Sequence, residues 1–333
     1  MNTIVLKPAG RFQSHRGYLP HDDVIGLPEG SIITNTEGTQ YLAFRPLLAD
    51  YVLSMPRGAT VVYPKDAGQI IAMADIFPGA TVVEAGVGSG ALSLSLLRAV
   101  GGPSPDTPGA GRLISIERRP DFARIAKANV AAFMGGKPAN WQLEIGDFAD
   151  VVGQVCPPES VDRVVLDLLA PWENVAAAWT ALRPGGVFCA YVATTTQLSR
   201  LAEALRAENR WNEPVGFETF VRTWHLEGLA VRPDHRMIGH TGFLLITRRL
   251  ADGVAPLLRR RRPVSAASGG SYLGADADQH GDWSEDDLGY RPVSDRKIRQ
   301  ALKEVAKSTD DYEPHASLKP RSQKNKAFIT TDR

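Results

Sequence analysis

From residue 64 to about 250, short apolar runs alternate with longer stretches whose apolar residues recur every three or four positions. The runs have the length of buried strands, and the longer stretches have the period of helices with one apolar face. Five runs stand out, at residues 81–85, 113–116, 141–145, 161–166 and 187–192. Between them, the leucines of 91–100 have helical spacing, and a helix is expected from Pro120, since proline suits a first turn. Further helices are expected at 172–182 and 196–208, and two late strands at 217–224 and 243–247. This alternation predicts an α/β fold with a doubly wound, mainly parallel sheet and right-handed crossovers.

The flanks read differently. Residues 1–65 form a small β-rich unit, with β-prone runs at 31–34 and 40–45 separated by the turn sequence Asn35-Thr36-Glu37-Gly38. A third run, 59–63, ends at Pro64. So small a unit buries little area alone and is expected to lean on the α/β domain of 66–250. Residues 101–111 are rich in Gly and Pro and read as a surface loop. From 251 to 333 the chain becomes a charged tail, opening with the arginine run 259–262 and continuing Ser/Gly/Asp-rich. It is expected to be mostly disordered, apart from a short helix at 295–307. The arginine run reads as a solvated tail or as an RNA-contacting extension, with the balance toward the former.

Composition narrows the classes. Hydrophobic residues make up 43% and charged residues 23%, the values of an ordinary globular chain. No apolar stretch approaches the roughly 20 residues of a membrane span, and the first residues lack the pattern of a secretory signal. Cys156 and Cys189 lie far apart without metal-ligand spacing and read as buried free thiols. A cytoplasmic protein with neither metal nor membrane partner is expected. The net charge of +1 announces no polyanionic partner, so a nucleic-acid surface has to be local.

The candidate chemistry begins after the first strand of the α/β region, with Glu84-Ala85-Gly86-Val87-Gly88-Ser89-Gly90. Glycines between a strand and a helix let backbone N–H groups approach a ligand closely. Alone, such a loop is also an ordinary tight connection. The second strand ends in Glu117, a carboxylate placed to accept bonds from two ribose hydroxyls. Glu84, before the glycines, repels a pyrophosphate but suits the amino group of a methionine moiety. The third strand is followed by Asp147 and Phe148, an acid for an adenine amine with an aromatic beside it. The fourth ends in Asp167. Any one of these acids has a bland reading as a helix cap. Four at four successive strand ends favour a cationic sulfonium, hence S-adenosylmethionine over a nicotinamide.

On the acceptor side, Asp167-Leu168-Leu169-Ala170-Pro171-Trp172 resembles the Asp/Asn-Pro-Pro-aromatic loop of methyltransferases acting on planar nitrogens. Proline stiffens such a loop and the aromatic packs on a flat base; alternatively Pro171 starts a helix and Trp172 is core. Further motifs are Ser14-His15-Arg16-Gly17, His21-Asp22-Asp23-Val24-Ile25-Gly26, Arg45-Pro46-Leu47-Leu48, Tyr63-Pro64-Lys65-Asp66 and Tyr191-Val192-Ala193-Thr194-Thr195-Thr196-Gln197. Together with the glycine and Asp167 loops they resemble, in order and over about residues 10–250, the tRNA (adenine-N1)-methyltransferases that modify the T-loop adenine at position 58, in their bacterial and especially actinobacterial form.

The resemblance implies a class I methyltransferase domain beside a small N-terminal β-domain, assembled as a homotetramer, with tRNA as substrate. It maps cofactor contacts onto Gly86, Gly88, Ser89, Gly90, Ala91, Glu117, Asp147 and Asp167, and the target base onto Tyr63 and Asp167. Arg16, Arg45, Lys65 and Arg232 are candidate phosphate contacts, each equally readable as a solvated charge. The 101–111 loop and the tail have no clear family counterpart. Rival readings are a small-molecule or protein-carboxyl methyltransferase, a nicotinamide dehydrogenase and a non-enzymatic tRNA-binding scaffold. The first needs no Asp167–Trp172 loop, the second is opposed by Glu84, and the third by the intact cofactor acids.

Overall fold

A computed structural model describes residues 3–101 and 110–257. The expectations for the 259–262 run, the 295–307 helix and most of the 101–111 loop fall outside the described residues. The chain opens with two hairpins, β1 (Arg11–Ser14) with β2 (Gly17–Pro20), and β3 (Ser31–Thr34) with β4 (Gln40–Ala43). Next come α1 (Leu48–Ser54), α2 (Pro64–Met73), β5 (Thr81–Ala85), α3 (Ala91–Val100), β6 (Arg112–Glu117) and α4 (Pro120–Met134). These lead to β7 (Trp141–Ile145), α5 (Phe148–Val155) and β8 (Val161–Leu166). A 3-10 turn (Pro171–Asn174) then precedes α6 (Val175–Ala181), β9 (Leu182–Val192) and α7 (Thr195–Ala207). The last elements are β10 (Val215–Phe217), β11 (Trp224–Glu227), β12 (Ala230–Pro233) and β13 (Phe243–Arg248).

Seven strands make the central sheet in the order β10-β13-β9-β8-β5-β6-β7. The five from β5 to β9 are parallel to their neighbours, and β13 and β10 run antiparallel at one side. This is the doubly wound Rossmann-like sheet expected. Its order reverses between β5 and β8, where a crevice opens at the carboxyl ends of the strands.

Both sheet faces are covered, which is why β5 is buried along nearly its whole length rather than alternating. Val82 joins a core with α1, α2 and α3 that includes Ile70, Leu94 and Leu96. Val83 and Ala85 join a second core with α5, α6 and α7 that includes Phe148, Leu166 and Phe188. The strand's period of two therefore turns Glu84 to the same side as Val82. Truncating a fully buried leucine such as Leu94 to alanine costs about 2–5 kcal/mol.

Two local expectations are corrected. The run at 59–63 is not a strand: Val61 and Val62 are buried with α1 and α2, two helices that the pattern left unread. Pro64 opens α2, with Asp66 in its first turn, where proline's missing N–H costs no helical bond. The late strand expected at 217–224 is instead the end of β10 and the start of a separate hairpin, β11–β12, turning at Gly228. The N-terminal hairpins interlock through Asn35, whose side chain donates to Arg16 O and accepts from the N–H groups of Glu37 and Thr39. Among the described residues no helix is long and apolar enough to cross a membrane.

Candidate active site

Gly86, Gly88 and Gly90 all hold positive φ, at 85°, 54° and 83°, a region that side chains with a Cβ disfavour. At Gly86 the demand is also steric: a Cβ would stand 1.9 Å from the carbonyl oxygen of Asp167. At Gly90, the N-cap of α3, a Cβ would stand 3.2 Å from Cα of Ala126, so the glycine lets α3 and α4 close together. The loop thus sets the N-terminus of α3, with its unpaired backbone N–H groups, at the crevice.

The four acids come together because β7, β6, β5 and β8 are successive neighbours in the sheet. Glu117, at the end of β6, is buried and accepts the N–H groups of Gly88 and Arg119, each at 2.9 Å. Each carboxylate oxygen has a second lone pair, which suits a pair of ribose hydroxyls. Asp147 sits at the N-cap of α5 with an exposed carboxylate 3.7 Å from Arg118. Asp167, half-buried after β8, is tied to β5 by its N–H donating to Ala85 O at 2.9 Å.

Glu84 lies beneath the loop, only 2% exposed, and accepts a 2.6 Å bond from Ser115 Oγ. Trp141 Nε1 donates to the same hydroxyl at 2.8 Å. Burial pushes the Glu84 carboxyl up to about 7 against the bond from Ser115, which lowers it. Burial also pushes Asp167 up to about 7, and the charges of Glu84 and Glu117 add to the rise. Three carboxyl groups held this close resist full ionisation, and a cation placed among them relieves that resistance. The glycine cradle and this acidic cluster fit a ligand with a ribose, an ammonium and a sulfonium.

Other expected residues are placed in different ways. The Phe148 side chain is 3% exposed and packs into the second core, which leaves its backbone N–H at the start of α5 as the group to face a ligand. Ser89 and Ala91 are likewise buried. Ser89 Oγ accepts the N–H of Gly58 at 3.1 Å. Trp172 packs against the second core with Arg200 4.3 Å above its ring, so the core reading of this aromatic holds. Gln197 explains the motif that contains it, since it caps α7 and donates to Leu169 O at 2.8 Å, bracing the Asp167 loop.

Tyr63 is the N-cap of α2, partly buried. Tyr191, on β9, lies within electrostatic reach of Asp66, Asp167 and Tyr63. Lys65 is not free to meet a phosphate: its ammonium donates to Asp66, Thr219 O and Thr241. Arg16, Arg45 and Arg232 are exposed, Arg45 in an ion pair with Glu29. The sequence reading missed Asn129, buried on α4, which donates to Pro56 O and Ser89 O, each at 2.9 Å. It thereby joins the glycine loop to the segment leading into Tyr63. A polar residue at a buried helical position beside Ala126 and Val130 was the available signal.

Residues 42–232 match the family model for the tRNA methyltransferase complex GCD14 subunit, and residues 1–33 match the TrmI-like N-terminal model. The chain is 35% identical over 247 residues to the tRNA (adenine(58)-N(1))-methyltransferase TrmI of Thermus thermophilus, spanning 73% of this chain and 90% of that protein. To the tRNA (adenine(57)-N(1)/adenine(58)-N(1))-methyltransferase TrmI of Methanocaldococcus jannaschii it is 33% identical, spanning 68% of this chain and 84% of that one. Among solved structures it is similar to the tRNA (m1A58) methyltransferase TrmI of Aquifex aeolicus, with TM-score 0.63, 27% identity and coverage of 74% and 91%. It is also similar to an S-adenosylmethionine-dependent O-methyltransferase of Thermotoga maritima, with TM-score 0.67, 27% identity and coverage of 74% and 88%. By the model match over more than half its length and by these relatives, the chain belongs to the tRNA (adenine-N1)-methyltransferase family.

Proposed function

We propose that the protein is an S-adenosylmethionine-dependent enzyme that methylates N1 of the adenine at position 58 in the T-loop of tRNA. The observation that carries this reading is the meeting of the glycine loop with Asp167, supported by curated relatives whose names state the reaction. When bound, S-adenosylmethionine supplies an electrophilic methyl group. Gly86, Gly88 and Gly90 with the N-terminus of α3 receive its methionine end, and Glu117 takes the ribose hydroxyls. Asp147 and the N–H of Phe148 read the adenine ring. Glu84, beneath the loop, answers the positive charge.

Adenine N1 has a lone pair at neutral pH, so the acceptor needs no base to deprotonate it. The protein has to hold N1 in line with the methyl–sulfur bond. Asp167 accepts a hydrogen bond from the exocyclic amine and stabilises the positive charge that develops on the base. Tyr63 packs beside the base, which has to leave the folded T-loop to reach the crevice. Arg16, Arg45 and Arg232 supply phosphate contacts.

A small β-rich N-terminal domain, a homotetramer and a cytoplasmic location complete the reading. Self-association is supported by the β11–β12 hairpin, which exposes Trp224, Leu226, Leu229 and Val231 together. Analytical ultracentrifugation tests it: a mass four times that of the chain is expected, and a monomer contradicts it. For the activity, the protein is incubated with labelled S-adenosylmethionine and bulk tRNA, which is then digested to nucleosides. Labelled 1-methyladenosine is expected; label in another nucleoside or none contradicts the reading.

A further inference from the structure

A line of polar side chains runs through the first core, across three adjacent strands. Trp141 on β7, Ser115 on β6 and Glu84 on β5 share the sheet face of Leu113 and Val82, which α1, α2 and α3 cover. Ser115 and Glu84 are partners in the parallel register of β5 and β6. All three are buried, Ser115 completely. Trp141 Nε1 donates to Ser115 Oγ at 2.8 Å, and Ser115 Oγ donates to Glu84 Oε1 at 2.6 Å. Apolar side chains of the same size would fill this space at little cost in stability, because a buried hydrogen bond adds little net to the fold. The contribution of the line lies in the state of the group at its end.

An indole N–H only donates, so Trp141 engages a lone pair of the Ser115 hydroxyl and leaves its single hydrogen for Glu84. Held from behind in this way, the hydroxyl is a fixed donor, and a fixed donor is strongest toward an acceptor that carries charge. The titratable groups that face Glu84 oppose that charge. Glu117 comes from β6, bonded to the N–H of Gly88, and Asp167 follows β8, its N–H bonded to Ala85 O. Both are acids, so the bond from Ser115 favours the ionised form against them. We propose that Ser115, oriented by Trp141, is a positioning residue that holds Glu84 beneath the glycine loop as a carboxylate for the cation of S-adenosylmethionine. That role rests on the proposed pairing of Glu84 with the cofactor, and it adds what prepares the carboxylate.

The test is the affinity of the full chain and its variants for S-adenosylmethionine, measured by calorimetry at pH 7.0 and pH 8.5. Ser115→Ala removes the donor, so Glu84 keeps its proton to higher pH and the cation has to displace it. Its affinity is expected to fall about fivefold at pH 7.0 and to return to within about twofold of wild type at pH 8.5. Trp141→Phe keeps a ring in the core but frees the hydroxyl to turn; the same pattern is expected, with a loss of about twofold at pH 7.0. Should Ser115→Ala not fold, Trp141→Phe decides alone. In a Glu84→Gln background, Ser115→Ala should add less than about twofold at either pH. A loss of equal size at both pH values, a larger loss that persists in the glutamine background, or no loss at pH 7.0 overturns the proposal. A Glu84→Gln variant that binds the cofactor as tightly as wild type at both pH values overturns instead the reading on which it rests.

Discussion

The backbone of Gly86 lies directly against the carbonyl of Asp167, with room for hydrogen and nothing larger. The glycine loop and Asp167 are therefore one packed unit, so a change in the loop moves the acid. Gly86→Ala meets both this contact and the 85° φ, which costs an L-residue about 1–2 kcal/mol alone. Cofactor affinity measured by calorimetry is expected to fall at least about tenfold, with kcat reduced as well. An alanine variant with normal affinity and turnover contradicts this coupling.

In the proposed reaction Asp167 holds charge that develops on the base, so its effect belongs mainly in turnover. Asp167→Asn keeps the size and an acceptor oxygen but removes the charge. Its kcat is expected to fall by about 10²–10³, the range for losing one group aimed at developing charge. KM for tRNA should change far less. Single-turnover kinetics separates the two, and a loss confined to KM contradicts the assignment.

The raised carboxyls predict a definite pH dependence. Glu84 and Asp167 are both pushed up to about 7 in the fold, above their values of 4.5 and 3.8 in an open chain. Between those limits the folded protein binds more protons than the unfolded chain. The stability this provides is complete below about 4 and is lost as pH rises through about 7. The melting temperature of the cofactor-free protein should therefore drop from pH 5.5 to 7.5. Over the same interval affinity for S-adenosylmethionine should rise, because a cation takes the place of protons. Calorimetry in buffers of different ionisation heat should register proton release near pH 6.5; proton uptake contradicts the electrostatic account.

Asn129 bridges the glycine loop and the segment before Tyr63 with both of its amide hydrogens. Asn129→Leu strands two carbonyls, at about 1–3 kcal/mol each where they remain dry. The melting temperature and the cofactor affinity should fall together. An unchanged affinity in a destabilised variant assigns Asn129 to the fold alone.

Lys65 and the exposed arginines differ in their expected response to salt. Removing a phosphate contact lowers the slope of log affinity against log salt by about one. Arg16→Ala and Arg232→Ala should show that change in tRNA binding. Lys65→Met should not, since the ammonium is already saturated within the fold.

Much of this arrangement was legible in the chain. The strands from β5 to β9, the glycine loop and the acids at the strand ends all follow from local period and from topology, which brings successive strand ends together. Residues whose surroundings come from far along the chain were not. Lys65 looks like a free cation until Thr219 and Thr241 arrive from more than 150 residues away. Phe148 reads as an aromatic beside the acid for an adenine amine, yet as the first residue of α5 its side chain turns into the second core. The 59–63 run has strand composition but meets no partner strand, because Pro64 turns the chain into α2. For β11–β12, a hairpin that leaves large apolar side chains exposed carries no inward-outward alternation to read.

The most direct test uses an unmodified tRNA transcript and its counterpart with guanine at position 58, both incubated with the protein and S-adenosylmethionine. Nuclease mapping with mass spectrometry locates each added methyl group. One methyl on N1 of adenine 58 in the first transcript, and none at position 58 in the second, is the predicted result. Equal methylation of both transcripts, or none of either, contradicts the account.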